Sequence, residues 1–443
     1  MKRVLFLSYY FPPIGGAGVQ RSVKFVRHLP GFGWQPVVVT GPGSEAGRWA
    51  PPDESLVADA PPNLDVRRLT DPVPPETTGA WRRAERLARV TTPFARWWID
   101  GAVEVARQVE DVDVIYASMS PFETAVAARR LARTFGKPWV ADLRDPWALD
   151  EISVFPTALH RRAELRRMSS LLSTAAAVIM NTEEAARAAR TLPGLARTPV
   201  SAIPNGWDAS DFAGPAPPQN ARTLSIVHTG YLHTALGRAY RRSARVRAIL
   251  GGAETGIDFL PRSHVYLLRA LDRVIGGHPA ARERIELHLA GVLSSEDERE
   301  IERFPHPGMV RTHGYIPHSE SVRLVRSAGL LFFPMHDLPV GKRARIVPGK
   351  AYEYLASRRP ILAAVPDGDA RDLMTASERA YVCRPMDVAC MAAAIERELD
   401  RPEAERAVPA RRDERLAQYE RRELTRRLAR ELRGAAERSA AGE

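Results

Sequence analysis

Short apolar runs alternate with helical stretches along most of this chain, and the alternation stops once and starts again. Arg3–Ser8, Pro36–Thr40, Val112–Ala117, Pro138–Ala141, Ala177–Met180 and Val200–Ile203 read as strands. Helices over Val19–Leu29 and Phe122–Phe135 fall among them. A β-α-β order returns each strand to the same edge through a helix, which predicts a parallel sheet covered by helices. Pro204-Asn205-Gly206-Trp207-Asp208 and a Pro/Ala/Gly stretch to Gln219 then read as a turn and linker. Beyond it, Leu224–His228, Ile285–Ala290, Val310–Thr312, Leu330–Pro334 and Ile361–Ala364 predict strands. Ser263–Ile275, Ser295–Arg303, His318–Ser327 and Gly349–Ser357 predict helices. Two doubly wound α/β domains joined near residues 209–222 follow, a division that suits 443 residues.

Three segments stand outside this pattern. Residues 41–80, rich in Pro, Gly and Asp, read as a long loop around a short strand near Leu64–Val66. Residues 233–262 hold Arg241, Arg242, Arg245 and Arg247, then Gly251-Gly252 and Gly256. They read as a basic, mobile inserted loop, either a solvated excursion or a lid over an anion. From Arg411 to Arg438 the chain reads as a charged helix with Leu416, Leu424, Leu428 and Leu432 on one face. Packing on a domain is favoured over a membrane surface, because the polar face carries Glu as well as Arg.

Hydrophobic residues make up 44% and charged residues 26%, which excludes a wholly disordered chain. No apolar run approaches a membrane span. The start, MKRVLFLSYYFPP, reads as a first buried strand rather than a signal peptide. Cys383 and Cys390 are the only cysteines. No disulfide framework and no cysteine zinc site are expected, and a reducing, cytoplasmic compartment is the default. The net charge of +11 comes from 64 basic and 53 acidic residues. It suits anionic ligands, a membrane surface or nucleic acid. Interleaved Glu and few aromatics in the Arg-rich stretches argue against nucleic acid. Only Lys2, Lys24, Lys137, Lys342 and Lys350 are lysines. In so Arg-biased a chain, a Lys marks a place where a compact charge is wanted.

Four constellations carry chemistry. Gly15-Gly16-Ala17-Gly18-Val19-Gln20-Arg21 follows the first strand and opens a helix, where glycines admit a ligand close to the backbone and the helix end favours an anion. Arg21 stands where a dinucleotide fingerprint has its third glycine, which weakens a nicotinamide reading; a tight turn without ligand is the alternative. Val347-Pro348-Gly349-Lys350 opens another helix. A cation in a first turn opposes the helix dipole, so Lys350 makes sense if it faces a diphosphate. Glu353, one turn on, can accept two ribose hydroxyls; a surface Lys–Glu pair is the alternative. Lys342 adds a cation in the preceding loop. Asp142-Leu143-Arg144-Asp145-Pro146-Trp147 lies at a strand end, as an acceptor-facing cluster or as an Arg–Asp pair fixing a loop. His228-Thr229-Gly230-Tyr231 ends another strand, with Arg238 and Arg262 as candidates for a phosphate clamp. No P-loop, H-E-x-x-H or G-x-S-x-G pattern is present. Asp111-Val112-Asp113 and Asp367-Gly368-Asp369 are poor metal sites by context, and no metal is expected.

With these residues in view, the chain resembles glycosyltransferases of the GT-B fold, in particular family 4-like retaining enzymes. Tyr9-Tyr10-Phe11-Pro12-Pro13 with Gly15-Gly16, the Trp139–Trp147 segment, Ile203-Pro204-Asn205-Gly206-Trp207-Asp208, His228-Thr229-Gly230 and Pro348–Ala356 with Arg359–Ala363 resemble family motifs in order. The resemblance implies two Rossmann-like doubly wound parallel-sheet domains facing a cleft. Residues 1–212 would form the acceptor-side domain and residues 213–400 the donor domain with its 233–262 insertion. Residues 401–443 would be an amphipathic helix crossing back to the first domain. A nucleotide-diphosphate sugar (UDP-, GDP- or dTDP-linked) would be the co-substrate, with no tightly bound cofactor. Glu353 would hold the ribose, and Lys350, Lys342, Gly349 and Tyr352 would line the donor site. Gly15, Gly16 and Gly230 would offer backbone to the diphosphate or sugar, and Arg144-Asp145 would face the reacting carbon. Many family members have a Glu where this chain has Arg345, and Arg262 is preferred to Arg238 as the clamp. The acceptor would be a glycan, a lipid-linked sugar or a small natural product, with peripheral contact to an anionic membrane surface. A nucleotide-sugar epimerase of the same fold and a non-catalytic sugar-nucleotide- or glycan-binding protein are the other readings.

Overall fold

The computed structural model describes residues 1–43, 52–218, 222–402 and 414–441. Parts of the loop, linker and tail expected around 41–80, 209–222 and 401–443 lie outside these residues. The chain divides into two compact units. The first comprises 1–205, 250–254 and 419–443, and the second 206–249 and 255–418.

In the first unit, β1 (Lys2–Leu7), β2 (Trp34–Thr40), β3 (Asp65–Arg68), β4 (Val114–Met119), β5 (Trp139–Leu143), β6 (Ala177–Met180) and β7 (Val200–Ala202) form one sheet. Its order is β3-β2-β1-β4-β5-β6-β7, and every pairing is parallel. Side chains alternate between the faces of a strand. Leu5, Leu7, Val39 and Ile115 accordingly enter one core, and Val4, Phe6, Val38 and Tyr116 the other. Both faces are covered, so the strands read as unbroken apolar runs rather than as alternation.

The 421–440 helix belongs to this unit. Leu424, Leu428 and Leu432 are fully buried and join Phe6, Val38 and Tyr116 in the second core. Leu416 does not share that stripe; it lies in a preceding 3-10 segment, Glu414–Tyr419.

In the second unit, β8 (Leu224–Thr229), β9 (Ile285–Ala290), β10 (Val310–Gly314), β11 (Leu330–Pro334), β12 (Ile361–Ala364) and β13 (Ala380–Cys383) repeat the topology in the order β10-β9-β8-β11-β12-β13, again parallel. Its core gathers Ile226, Leu287 and Phe332 with Leu267, Leu271 and Ile395 from the helices over 265–277 and 388–399.

Two expectations are corrected here. Residues 233–262 are not a loop. They form helices at Thr234–Arg242 and Ala244–Leu250, the first burying Thr234, Gly237 and Tyr240. Gly237 sits against Leu260, where a Cβ would fall 2.5 Å from the Leu260 Cα, so this stretch packs into its own unit. The cysteines are not free: Cys383 at the end of β13 bonds to Cys390 in the 388–399 helix. A short turn brings the two back to a Cα separation of 5.8 Å, which the bare count of two did not reveal. The inference from cysteine usage to a reducing compartment loses its support.

Candidate functional site

In each sheet the connections leave the first strand in opposite directions, so the loops past its C-terminal end diverge, and such points are where open α/β sheets bind ligands. In the second unit that strand is β8, flanked by β9 and β11. His228, buried near its end, has Nδ1 3.0 Å from the Phe332 carbonyl on β11. A carbonyl only accepts, so Nδ1 carries the proton and Nε2 offers its lone pair. The Lys350 ammonium lies 3.3 Å from that Nε2 and donates to it. Burial, and next the charge of Lys350, hold His228 well below the usual imidazole value, so it is a neutral acceptor.

Lys350 is the first residue of the 350–357 helix, after Gly349 as N-cap. Burial pushes its ammonium down to about 7; the Arg262 charge adds to this, and Glu353 opposes it. Two cations therefore sit within each other's field. Gly230 makes the arrangement possible, though not by the expected route. Its N–H donates to the Ala290 carbonyl at 2.7 Å and is not available to a ligand. Its φ of +103° suits glycine, and a Cβ there would fall 2.8 Å from the Lys350 Nζ. Gly230 thus leaves the room that Lys350 occupies.

Arg262 precedes the 265–277 helix, and its carbonyl accepts from the His233 N–H at 2.9 Å. Arg238, the other candidate clamp, is bonded to Glu300 and lies 4.0 Å from Glu296. Of the two, Arg262 is the one whose charge acts on Lys350. Glu353 is mostly buried and meets His318 Nε2 at 3.2 Å. Tyr352 is only 3% exposed. Tyr354 is fully buried, accepts from the Thr229 N–H at 2.9 Å, and is pushed up to about 12 by burial. Lys342 donates to the Thr255 carbonyl and hydroxyl at 3.1 and 3.4 Å. The structure thus gathers Lys350, Gly230, Arg262 and Glu353, and ties Lys342 to Thr255.

Sequence reading missed the histidines around this group. His233 is held well below its usual value by burial and by the charges of Arg262 and Lys350, with smaller effects from His336 and His228. His318 orients Glu353. No spacing marks these residues, because sheet order, not chain order, collects them.

In the first unit, Gly15 is buried and Gly16, at φ +105°, is the N-cap of the 17–28 helix, whose first turn has no acidic residue. Gly18 was not singled out by itself, yet a Cβ there would fall 1.2 Å from Arg144 Nη1. The Arg144 guanidinium therefore rests on the bare Cα of Gly18, 5.4 Å from the Tyr10 ring centroid. Asp145 is exposed and 3.9 Å from Arg144 Nε, a loose pair. Asn181 donates to the Arg144 carbonyl.

Asp142 is not part of an outward cluster. It is fully buried, takes two bonds from Arg21 at 2.8 and 2.7 Å, and accepts from Tyr116. Arg21 also reaches the Pro204 carbonyl at 2.7 Å. The residue in the third-glycine position thus spends its charge inside the fold.

Comparison with known proteins gives two family matches. Residues 15–206 match the Glycosyl transferase 4-like domain, and residues 259–401 match Glycosyl transferases group 1. No curated protein matches. Among solved structures, sucrose-phosphate synthase from Thermosynechococcus elongatus is 14% identical with a TM-score of 0.59, covering 100% of this chain and 98% of that one. An E. coli trehalose-6-phosphate protein bound with UDP-2-fluoro glucose is 14% identical with a TM-score of 0.56, covering 100% and 98%. Anabaena HepE in complex with UDP is 15% identical with a TM-score of 0.53, covering 100% and 99%. At these identities the likeness speaks to the fold.

Proposed function

Because the chain belongs to the glycosyltransferases, 4-like in its first half and group 1 in its second, on two Rossmann-like units of the GT-B type, we propose that it moves a sugar from a nucleoside-diphosphate donor to an acceptor hydroxyl with retention of anomeric configuration. The observation that carries the donor site is the placement of the Lys350 ammonium. It stands over Gly230, against neutral His228 and beside Arg262. Two cations this close to each other suit a diphosphate. The uridine nucleotides held by two structurally similar proteins support that class of donor.

As the bond from the anomeric carbon to the diphosphate breaks, negative charge grows on the leaving phosphate. Lys350 and Arg262 meet that charge without reorganising. They supply the neutralisation themselves, so the scheme calls for no metal ion. Glu353, oriented by His318, accepts from the ribose hydroxyls. Lys342, Gly349 and Tyr352 shape the surrounding donor site, Gly15 and Gly16 are the first unit's candidates for backbone contact to the diphosphate or sugar, and Arg144 and Asp145 belong to the acceptor side.

The test is a screen of UDP-, GDP- and dTDP-sugars for binding, followed by product analysis with an acceptor panel. Lys350→Ala should lower turnover about 10²- to 10³-fold, as removal of one fixed transition-state donor does elsewhere. Glu353→Ala should act mainly on nucleotide affinity. Wild-type turnover in both variants, or a product of inverted configuration, would overturn the reading.

A further inference from the structure

The helix at Gly79–Ala88 buries no residue. Only Glu85 is even half-covered. Yet its sequence is amphipathic: Ala80, Ala84 and Leu87, with Trp81 and Ala88 beside them, fill one arc, while Arg82, Arg83 and Arg86 lie opposite. Trp81 is 78% exposed, Leu87 56% and Val90 56%. A helix of this kind gains little from propensity alone and ordinarily hides its apolar arc; none of the described residues covers this one.

Other exposed apolar side chains of the same unit gather beside it. The Leu87 carbonyl lies 3.0 Å from His160 Nε2, and Arg86 donates to the Val154 carbonyl at 2.8 Å. Leu159, next to His160, is 71% exposed. Gly252 accepts from the Phe155 N–H at 2.8 Å, and a Cβ on Gly251 would touch Ala158. Leu250, which adjoins them, is 44% exposed. Three separate stretches of chain thus present apolar side chains around one place.

The charge around that place is basic. Residues 76–90 carry four arginines against two glutamates, and residues 158–167 four against one. Part of this charge is internally paired, Arg82 with Glu76 and Arg89 with Glu164. An apolar patch with an exposed tryptophan and an arginine rim is complementary to the boundary of an anionic bilayer.

We propose that this surface docks the first unit onto an anionic lipid membrane, with Trp81, Leu87 and Leu159 entering the headgroup boundary and Arg82, Arg83 and Arg86 facing lipid phosphates. The 421–440 helix takes no part, since its leucines are buried in the core. No helix among the described residues is long and apolar enough to cross a membrane, so the attachment is peripheral and weakens with salt.

The test is flotation of the full chain with vesicles of phosphatidylcholine, alone or mixed equally with phosphatidylglycerol. Binding is expected only with phosphatidylglycerol, and raised salt should release it. Arg82→Gln with Arg83→Gln should weaken it at least about tenfold, at several-fold per arginine. Trp81→Ser with Leu87→Ser should weaken it comparably. All four residues are exposed, so thermal stability and nucleotide binding measured without vesicles should stay as in the wild type. Absence of binding, equal binding to neutral vesicles, or full binding by both variants would overturn the proposal. Self-association without lipid that the same substitutions abolish would assign the surface to a second copy of the chain instead.

Discussion

Lys350 is tuned so that its charge depends on what it meets. With its ammonium pushed down to about 7, it is half-protonated near neutrality. A bound diphosphate favours the charged form, so above pH 7 binding must draw a proton from solvent. Affinity for UDP or a competent nucleoside diphosphate is therefore expected to fall as pH rises from 7 to 9, and to level off below 7, where Lys350 is already charged. Calorimetry in buffers of different ionisation enthalpy should register proton uptake, and Lys350→Met should abolish it. A second prediction concerns Gly18. An added methyl would displace the Arg144 guanidinium, while the helical backbone accepts alanine without strain. Gly18→Ala should reduce kcat/KM toward the level of Arg144→Ala, yet leave stability unchanged or higher by about 0.4–1 kcal/mol. Thermal melts beside kinetics separate the two effects. Lys350 and Glu353 stand out in the sequence as candidates, because a lysine is rare here and a first-turn cation is costly. The sequence did not expose His228 as the neutral partner or Gly230 as the vacancy beneath Nζ, because both roles arise from neighbours on other strands.

Among elements, those whose burial is one-sided or complete were easiest to read. Ile285–Ala290, Leu330–Pro334 and Ile361–Ala364 fall where expected, since apolar runs bounded by turns have few other uses. The 234–250 helices were hidden by their arginines and glycines, which read as loop until Tyr240 and Gly237 find packing partners. The 79–88 helix escaped for the opposite reason: no core contact marks it. The 421–440 helix was legible by its leucine spacing, and its energetic weight can be measured. Leu428 is fully buried against the first sheet, so Leu428→Ala should cost about 2–5 kcal/mol, by lost transfer energy and a residual cavity. Urea unfolding would check this through a lowered midpoint. Asp142→Ala should cost a similar amount, about 3–5 kcal/mol, because it strands the Arg21 charge in the core.

At the scale of the molecule, each unit has its own sheet and its own core, and two-state melting is not expected. Scanning calorimetry should resolve two components. UDP should raise the one that belongs to the second unit, by mass action on the folded form, and Leu428→Ala should lower the other. A ligand that shifts only the first-unit component would contradict the donor-site assignment. The helix at 421–440 carries a further consequence, because it closes a core begun at residue 4. During synthesis, the face formed by Phe6, Val38 and Tyr116 must wait until the whole of the second unit has left the ribosome. The part made first is thus the part completed last, and a nonsense codon at residue 419 or 420, just past the second unit, should ruin the older unit while sparing the younger.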